Sequence, residues 1–308
     1  MTLFSYEIFD TVARQGSFNK AAAQLHLTPS AISHAVAVME QELGFTLFNR
    51  GKSGVTLTSY GASLYPAMRA VLNSHEALLQ TVAQLNGLQK GRVRLGTFNS
   101  ACTYLLPGIL KSFAARYPQI DVEVYQGTYD DIKQWLAGGT VDIGFLSASS
   151  AGEFKLQPLL ADPLCCIVPR GWPAPEGGVM TPQQMSGQRF VIQGESTYAD
   201  IKHFLKKYQI TPSSHCRVVD DMSNIALVEA GIGMAILPRL VLTGCTAAVD
   251  VYPIQPEEQR VIGLAVAGDG MAAPAVQQMR QQILAYCAAR PDACPELKQE
   301  TKGENHGS

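Results

Sequence analysis

The chain of 308 residues has few charged residues and no long apolar run, and each shortage argues against a class of protein. Charged residues make up 16% of the sequence and the formal net charge is −2, which argues against indiscriminate binding of nucleic acid. No apolar segment approaches the roughly 20 residues that span a bilayer, and the first residues lack the pattern of a signal segment. We therefore expect a cytoplasmic protein that has no membrane partner.

The sequence motifs of common enzymes and metal sites are also absent. There is no GxxxxGK phosphate loop, no GxSxG nucleophile turn and no HExxH zinc motif. The 7 cysteines are scattered without a metal-type CxxC pair, so we expect reduced, structural thiols and neither a cofactor nor a metal. An α/β enzyme is therefore disfavoured. A solute-binding protein is disfavoured as well, because it would require export.

Two short helical patterns between residues 17 and 50 organise the N-terminal part of the chain. The first follows the cap residue Ser17, and the second begins at Thr28-Pro29, a cap oxygen followed by a proline that suits the first helical turn. Gly44 suits the left-handed residue that ends a helix. The predicted buried face of the second helix comprises Ala31, Ile32, Ala35, Val36, Met39 and Leu43. This spacing predicts a helix-turn-helix, although an ordinary helical hairpin has the same pattern.

A short β-hairpin pattern follows these helices and favours the DNA-binding interpretation. A polar, basic turn separates Phe48 from Val55-Thr56-Leu57, which is typical of a wing. Small polar groups at the start of the second helix would read base edges, and the wing would contact phosphates. The predicted DNA contacts are Thr28, Pro29, Ser30, Ser33, His34, Arg50, Lys52 and Ser53. Since the second helix has no lysine or arginine, we expect one head alone to bind weakly.

An ordered set of residues runs through the first 61 positions: Phe9, Gly16-Ser17-Phe18, Ala21-Ala22, Leu25, Ser30-Ala31-Ile32-Ser33, Glu40, Leu43-Gly44, Leu47-Phe48, Arg50, Leu57-Thr58 and Gly61. This set resembles the N-terminal domain of LysR-type transcriptional regulators, and the rest of the chain resembles that family's effector domain. The resemblance implies control by a small-molecule effector and binding to double-stranded DNA at an interrupted palindromic operator. It also implies a homo-oligomer, either a dimer or a tetramer, and contact with RNA polymerase if the protein is an activator.

A long helix is predicted from residue 59 to residue 86, after the cap residue Thr58. Apolar residues recur along it at alternating four- and three-residue steps, which is the pattern of a heptad seam. The seam comprises Leu64, Met68, Val71, His75, Leu78, Val82 and Leu85. We expect two copies of the chain to pair along this seam.

From residue 91 strands alternate with helices, which predicts open α/β architecture. The chain is predicted to cross between two units near residues 161–164 and to return near residue 260, so that two hinged lobes resemble periplasmic binding proteins. The expected fold class is α/β, with a mainly helical winged helix-turn-helix, a long linker helix and a two-lobed effector domain of that type. The predicted boundaries are 1–58 for the head, 59–90 for the linker and hinge, 91–162 with 260–290 for lobe I, 163–259 for lobe II, and 291–308 for a disordered tail.

Polar residues follow the predicted strands where the two lobes would face each other, the usual binding position in open α/β sheets. The candidates for effector binding are Asn99, Ser100, Thr103, Thr128, Ser147, Gln193, Asp221 and Ser223. Each serine and threonine has an alternative role as a helix cap. Because these loops contain no arginine and Asp221 is acidic, we expect a neutral or zwitterionic effector. A thiol-based redox trigger, with Cys102 near the predicted pocket, is the alternative.

Overall fold

The computed structural model describes residues 1–51, 54–194, 199–268 and 273–293. These residues form a small N-terminal head, one long helix and an α/β domain with two lobes. Across the described ranges, no helix combines the length and the apolar character that crossing a membrane requires. The predicted DNA contacts Lys52 and Ser53, and residues 294–308 of the predicted tail 291–308, lie outside the described residues. The first part of that tail is ordered instead, because Ala161 N donates to Asp292 O at 2.9 Å and Ala293 forms a bridge with Leu160.

Three helices and a hairpin form the head. Its elements are α1 (Leu3–Gln15), α2 (Phe18–Gln24), α3 (Pro29–Leu43), β1 (Phe48–Gly51) and β2 (Gly54–Leu57). Each helix begins after a hydroxyl cap that accepts a hydrogen bond from a backbone N–H three residues later: Thr2, Ser17 and Thr28. The prediction that Ala31 is buried is wrong, because the inward face of α3 runs through Ile32, Val36 and Met39 instead.

The long helix α4 (Ser59–Leu85) begins after the cap residue Thr58, as predicted. Its first turns belong to the head: Met68 is buried in the head core, and Leu64 packs against the same core. These two positions of the predicted seam are therefore engaged within their own chain. The later apolar positions are exposed in the single chain: Val71, Leu78, Val82 and Leu85.

A second stripe on α4, which we call the polar stripe, consists of Arg69, Asn73, Glu76 and Gln80. Its four- and three-residue spacing places these side chains on one face of the helix. At the far end of the stripe, Gln80 Nε2 donates to Arg92 O at 3.3 Å, and Gln80 Oε1 accepts from Ala275 N at 3.3 Å. The polar stripe thus attaches α4 to lobe I of the same chain.

Lobe I is a mixed sheet covered by helices around one apolar core. Its elements are β3 (Gly91–Thr97), α5 (Asn99–Tyr104), α6 (Leu106–Arg116), β4 (Ile120–Gln126), α7 (Tyr129–Ala137), β5 (Ile143–Ser147), β11 (Gln259–Val266) and α11 (Pro274–Ala288). Strand β3 is parallel to β4 and β5, and β11 is antiparallel to β5. The parallel strands therefore place their carboxyl ends, and the residues that follow them, along one edge.

Lobe II contains the intervening elements. These are α8 (Pro182–Met185), β7 (Arg189–Gln193), α9 (Ala199–Lys207), β8 (Ser213–Val218), α10 (Asp221–Glu229), β9 (Ala235–Pro238) and β10 (Val249–Pro253). Strands β7 and β8 are parallel, and a bridge between Phe190 and Met234 joins them to the chain just before β9. Two apolar clusters pack against these strands. One contains Phe204 of α9 and the other contains Ile225 of α10.

Strand β6 (Gln157–Pro169) runs through both lobes. It pairs with β11 as far as Pro163, and from Leu164 onwards it pairs with β9 and β10. The change of partner between Pro163 and Leu164 lies at the predicted crossing near residues 161–164.

Candidate DNA-binding and effector sites

The N-terminus of α3 presents polar groups to solvent. Thr28 Oγ1 accepts a hydrogen bond from Ala31 N at 3.2 Å and lies 3.0 Å from Ser30 Oγ. Pro29, Ser30 and His34 are exposed, as is Thr28 itself. A helix N-terminus carries partial positive charge and free N–H groups, so this end of α3 is suited to phosphates as well as to base edges.

The wing is held against α3 by one arginine. Arg50 Nη1 donates to Ser33 Oγ at 3.2 Å, and its guanidinium lies over the Phe18 ring, 4.4 Å from the centroid. The base of the wing is fixed by Glu40, whose Oε1 accepts from Leu47 N at 2.6 Å and from Phe48 N at 3.3 Å. Two predicted DNA contacts, one on the helix and one on the wing, are thus neighbours in the folded head.

In the interlobe cleft, Asp221 receives hydrogen bonds from both lobes. Asn99 Nδ2, from lobe I, donates to Asp221 Oδ2 at 2.9 Å, and Gln193 Nε2, from lobe II, donates to Asp221 Oδ1 at 2.8 Å. Gln126 Nε2 donates in turn to Asn99 Oδ1 at 3.2 Å. Asp221 is the first residue of α10, whose cap is Asp220.

A second polar contact crosses the cleft at the start of α9. Ser147 Oγ, at the end of β5, donates to Asp200 Oδ1 at 2.8 Å. A third joins Tyr104 Oη to Val241 O at 3.2 Å. Asp200 was not among the predicted residues, although an acidic residue in the first turn of a helix is a signal that sequence reasoning can use. The described lobes therefore touch through several hydrogen bonds.

Ser100 contacts a buried arginine, Arg260, which was not among the predicted site residues. Arg260 Nη2 donates to Ser100 Oγ at 3.0 Å and to Asp162 Oδ2 at 2.5 Å, while Nη1 donates to Tyr129 Oη at 3.2 Å. Asp162 Oδ1 accepts from Leu240 N of lobe II at 2.8 Å. Burial raises the pKa of the Tyr129 hydroxyl to about 12. Because an arginine can only donate, the Ser100 hydroxyl accepts in this contact.

Three of the predicted effector residues make local contacts instead. Thr128 caps α7 in a reciprocal arrangement with Asp131, and Ser223 Oγ donates to the cap residue Asp220 at 2.7 Å. Thr103 is exposed and donates to the carbonyl of Asn99 in its own helix at 3.0 Å. These contacts match the alternative role of serine and threonine as local backbone partners.

Burial disfavours the thiolate form of three cysteines in the effector domain, Cys102, Cys165 and Cys166. Burial raises the pKa of the Cys166 thiol to about 12, and it also raises the pKa values of the Cys165 and Cys102 thiols. The thiolate is the reactive form of cysteine, so a raised pKa lowers reactivity. No disulfide is present among the described cysteines.

A winged helix-turn-helix joined by one helix to a two-lobed binding domain defines a DNA-binding regulator of the ligand-responsive class. Family models agree in both parts: residues 3–62 match the bacterial regulatory helix-turn-helix protein of the lysR family, and residues 86–288 match the LysR substrate binding domain. The chain belongs to the LysR family of transcriptional regulators.

Individual relatives span nearly the whole chain. The probable HTH-type transcriptional regulator LrrA of Synechococcus elongatus is 30% identical over 280 residues, which cover 90% of this chain and 94% of LrrA. A full-length OxyR variant from Pseudomonas aeruginosa superposes with a TM-score of 0.77 at 20% identity, covering 96% of this chain and 98% of OxyR. Full-length CbnR complexed with its target DNA superposes with a TM-score of 0.62 at 19% identity, covering 93% of this chain and 100% of CbnR. Since each of these two structures covers more than nine-tenths of this chain, the shared fold includes the head, the linker helix and both lobes.

Proposed function

We propose that the effector of this regulator binds in the cleft between the lobes, against Asn99, Ser100, Ser147, Gln193 and Asp221. The carrying observation is that Asp221 accepts one hydrogen bond from each lobe. A ligand that replaces the bond from Asn99 changes how the lobes sit on each other. It thereby favours one of two arrangements, which is how a ligand controls a switch.

For DNA, the proposal assigns base contacts to the exposed start of α3, at Pro29, Ser30, Ser33 and His34, with Thr28 and Arg50 on phosphates. The contact between Arg50 and Ser33 supports this, because it places a phosphate-binding group beside a base-reading group. On DNA, Arg50 would exchange Ser33 for a phosphate and leave the serine hydroxyl to a base edge.

The proposed active form is a homodimer, or a dimer of dimers, acting in the cytoplasm on an interrupted palindromic operator. Four exposed apolar residues on one helix support pairing: Val71, Leu78, Val82 and Leu85. The small number of cations in the head supports it too, since phosphate neutralisation supplies most non-specific affinity. Where the protein activates transcription, RNA polymerase is a further partner.

A footprint of the full-length protein on the DNA upstream of its own gene tests this function. A thermal-shift screen of metabolites would first identify stabilising compounds. We expect at least one of them to change the footprint, and expect Ser30→Ala to lose the specific footprint without loss of folding. A screen in which no compound stabilises the protein, or an unchanged footprint with every stabilising compound, counts against the cleft as a sensor.

Redox control through a thiol is the second candidate, because Cys102 lies in α5, the helix that begins with the cleft residue Asn99. The raised pKa values of the Cys102, Cys165 and Cys166 thiols weigh against it. Footprints made with a reductant and with peroxide separate the two triggers. A metabolite sensor gives the same footprint in both, whereas a thiol sensor does not.

A further inference from the structure

A cavity of about 180 Å³ lies within lobe II, between α9 and the strands β7 and β8. Its apolar wall includes Phe190, Ile192, Ile201 and Leu205. Since a water molecule occupies about 30 Å³ in the liquid, this volume equals the share of roughly six waters. A cavity of that size suits one small ring better than a larger ligand.

Two residues that line this cavity each carry a buried side-chain oxygen that has no hydrogen-bond partner within the described part of the chain. These oxygens are Gln193 Oε1 and Asn224 Oδ1, on residues that are only 7% and 1% exposed. The orientation of Gln193 follows from its neighbour, because its Nε2 donates to Asp221 and the oxygen is left on the other side. Buried oxygens without a donor are costly, so this pair calls for a ligand that donates hydrogen bonds.

The charged groups that line the cavity are cationic. Lys202 on α9 and Arg217 on β8 are both exposed, and no carboxylate belongs to the described lining. Two cations disfavour an ammonium as the donor, so the donor is a neutral group, of which a hydroxyl is the smallest. The same cations favour a carboxylate towards the solvent side of the cavity.

Resting on the proposed effector function of the cleft, we propose that lobe II binds a ring-sized hydroxylated monocarboxylate in this cavity. The hydroxyl donates to Gln193 and Asn224, and the carboxylate pairs with Lys202 and Arg217. This replaces the expectation of a neutral or zwitterionic ligand. Gln193 connects the cavity to the cleft, because it also holds Asp221, which receives the bond from lobe I.

Three probes of nearly the same size test the chemistry on the full-length protein by calorimetry. 4-Hydroxybenzoate carries both groups, 4-methoxybenzoate lacks the donor, and 4-methylphenol lacks the carboxylate. We expect 4-hydroxybenzoate to bind at least about tenfold more tightly than either of the others, since each loses one charged or hydrogen-bonding contact. Equal affinity of the hydroxy and methoxy acids, or no binding of any probe, overturns the proposal.

Two variants locate the binding. Asn224→Leu removes an unpaired oxygen and keeps the side-chain volume, so the free protein should melt no lower than wild type while losing at least about tenfold in affinity for 4-hydroxybenzoate. Lys202→Met should weaken the two acids and leave 4-methylphenol unchanged. Lys206→Met, an exposed lysine of the same helix outside the cavity, is the matched control. Unaltered affinity in both Asn224→Leu and Lys202→Met places the binding elsewhere and refutes the site.

The operator footprint distinguishes this inference from the proposed function. If 4-hydroxybenzoate binds as expected and the footprint is unchanged, the cavity is confirmed as a binding site, and sensing through the cleft fails only if every other stabilising compound also leaves the footprint unchanged. If no probe binds but another metabolite changes the footprint in a manner that depends on Ser100, the cavity fails and sensing through the cleft stands.

Discussion

Arg69 of the linker helix and Asp10 of the head form an ion pair of 2.9 Å, and both side chains are over nine-tenths buried. Asp10 also accepts from Arg14 Nε at 3.0 Å and from Tyr65 Oη at 2.8 Å. The same guanidinium reaches lobe I, where Arg69 Nη2 donates to Gly139 O at 3.1 Å. One side chain of α4 therefore contacts the DNA-reading head and the sensing domain together.

Replacing Arg69 should destabilise the whole chain. Arg69→Met leaves Asp10 buried with only part of its compensation, and we expect a loss of about 3 kcal/mol in the free energy of unfolding. Urea denaturation measures it. Adding Asp10→Asn to Arg69→Met should cost less than the sum of the two single changes, because the groups interact directly. Strict additivity would show that the pair is not coupled.

The contact with Gly139 can be tested through its backbone. Gly139 has φ +66, and a Cβ there would lie 2.8 Å from Asn73 Nδ2, which also donates to the Gly139 carbonyl at 3.0 Å. Gly231 has φ +79 with no atom within 4 Å of such a Cβ, so it is a matched control for the conformation alone. We expect Gly139→Ala to cost about 1 to 2 kcal/mol more than Gly231→Ala in thermal or urea unfolding. Equal losses of stability in the two variants would mean that Asn73 of α4 moves away from the added methyl group without further loss of stability.

Ser100→Ala should separate sensing from DNA binding. Ser100 is buried in lobe I, far along the chain from the head, and its Oγ accepts from Arg260 Nη2. Under the proposed function its hydroxyl hydrogen is donated to the effector, and the substitution removes that donor. We expect operator affinity within about twofold of wild type and an effector affinity weakened about tenfold. Gel-shift titrations with and without effector measure both. An equal loss of both properties would refute the assignment of Ser100 to the pocket.

The exposed seam on α4 predicts dependence on pairing. Leu78→Glu combined with Val82→Glu places like charges in a dimer seam, so sedimentation should show a smaller assembly. Operator affinity should fall at least about a hundredfold, as expected when two linked heads become single ones. Gln84→Glu adds a charge at another exposed position of the helix and should change neither property. Tight operator binding by a monomeric variant would contradict the proposal.

Alkaline pH should weaken the fold through Tyr129. Burial raises the pKa of this hydroxyl to about 12 from an ordinary value of 10.0, so the folded chain keeps a proton that the unfolded chain releases. Its contribution is fully present below about pH 10 and is lost as pH rises towards 12, by about 3 kcal/mol in all. Urea unfolding across this range should show the decline, and Tyr129→Phe should reduce its slope. Full phenolate absorbance of the folded protein near pH 11 would contradict it.

Local signals predicted the head and linker well because caps and apolar spacing act over a few residues. The cap at Thr28 and the span of α3 were confirmed, and α4 ends one residue before the predicted position. Contacts between distant segments could not be predicted in the same way. Arg260 reaches Ser100 across 160 positions, and Met68 is buried in a head core that it shares with residues of α1 and α3.

The polar stripe of α4 also sets an order of events during synthesis. The partner of Gln80 at the start of α11 lies 195 residues further along the chain. Ribosomes add about 5 to 20 residues per second, so roughly 10 to 40 s separate the two. The nascent head can fold and meet DNA throughout that interval, before lobe I has received its last strand and helix. Any operator contact made then escapes control by the effector.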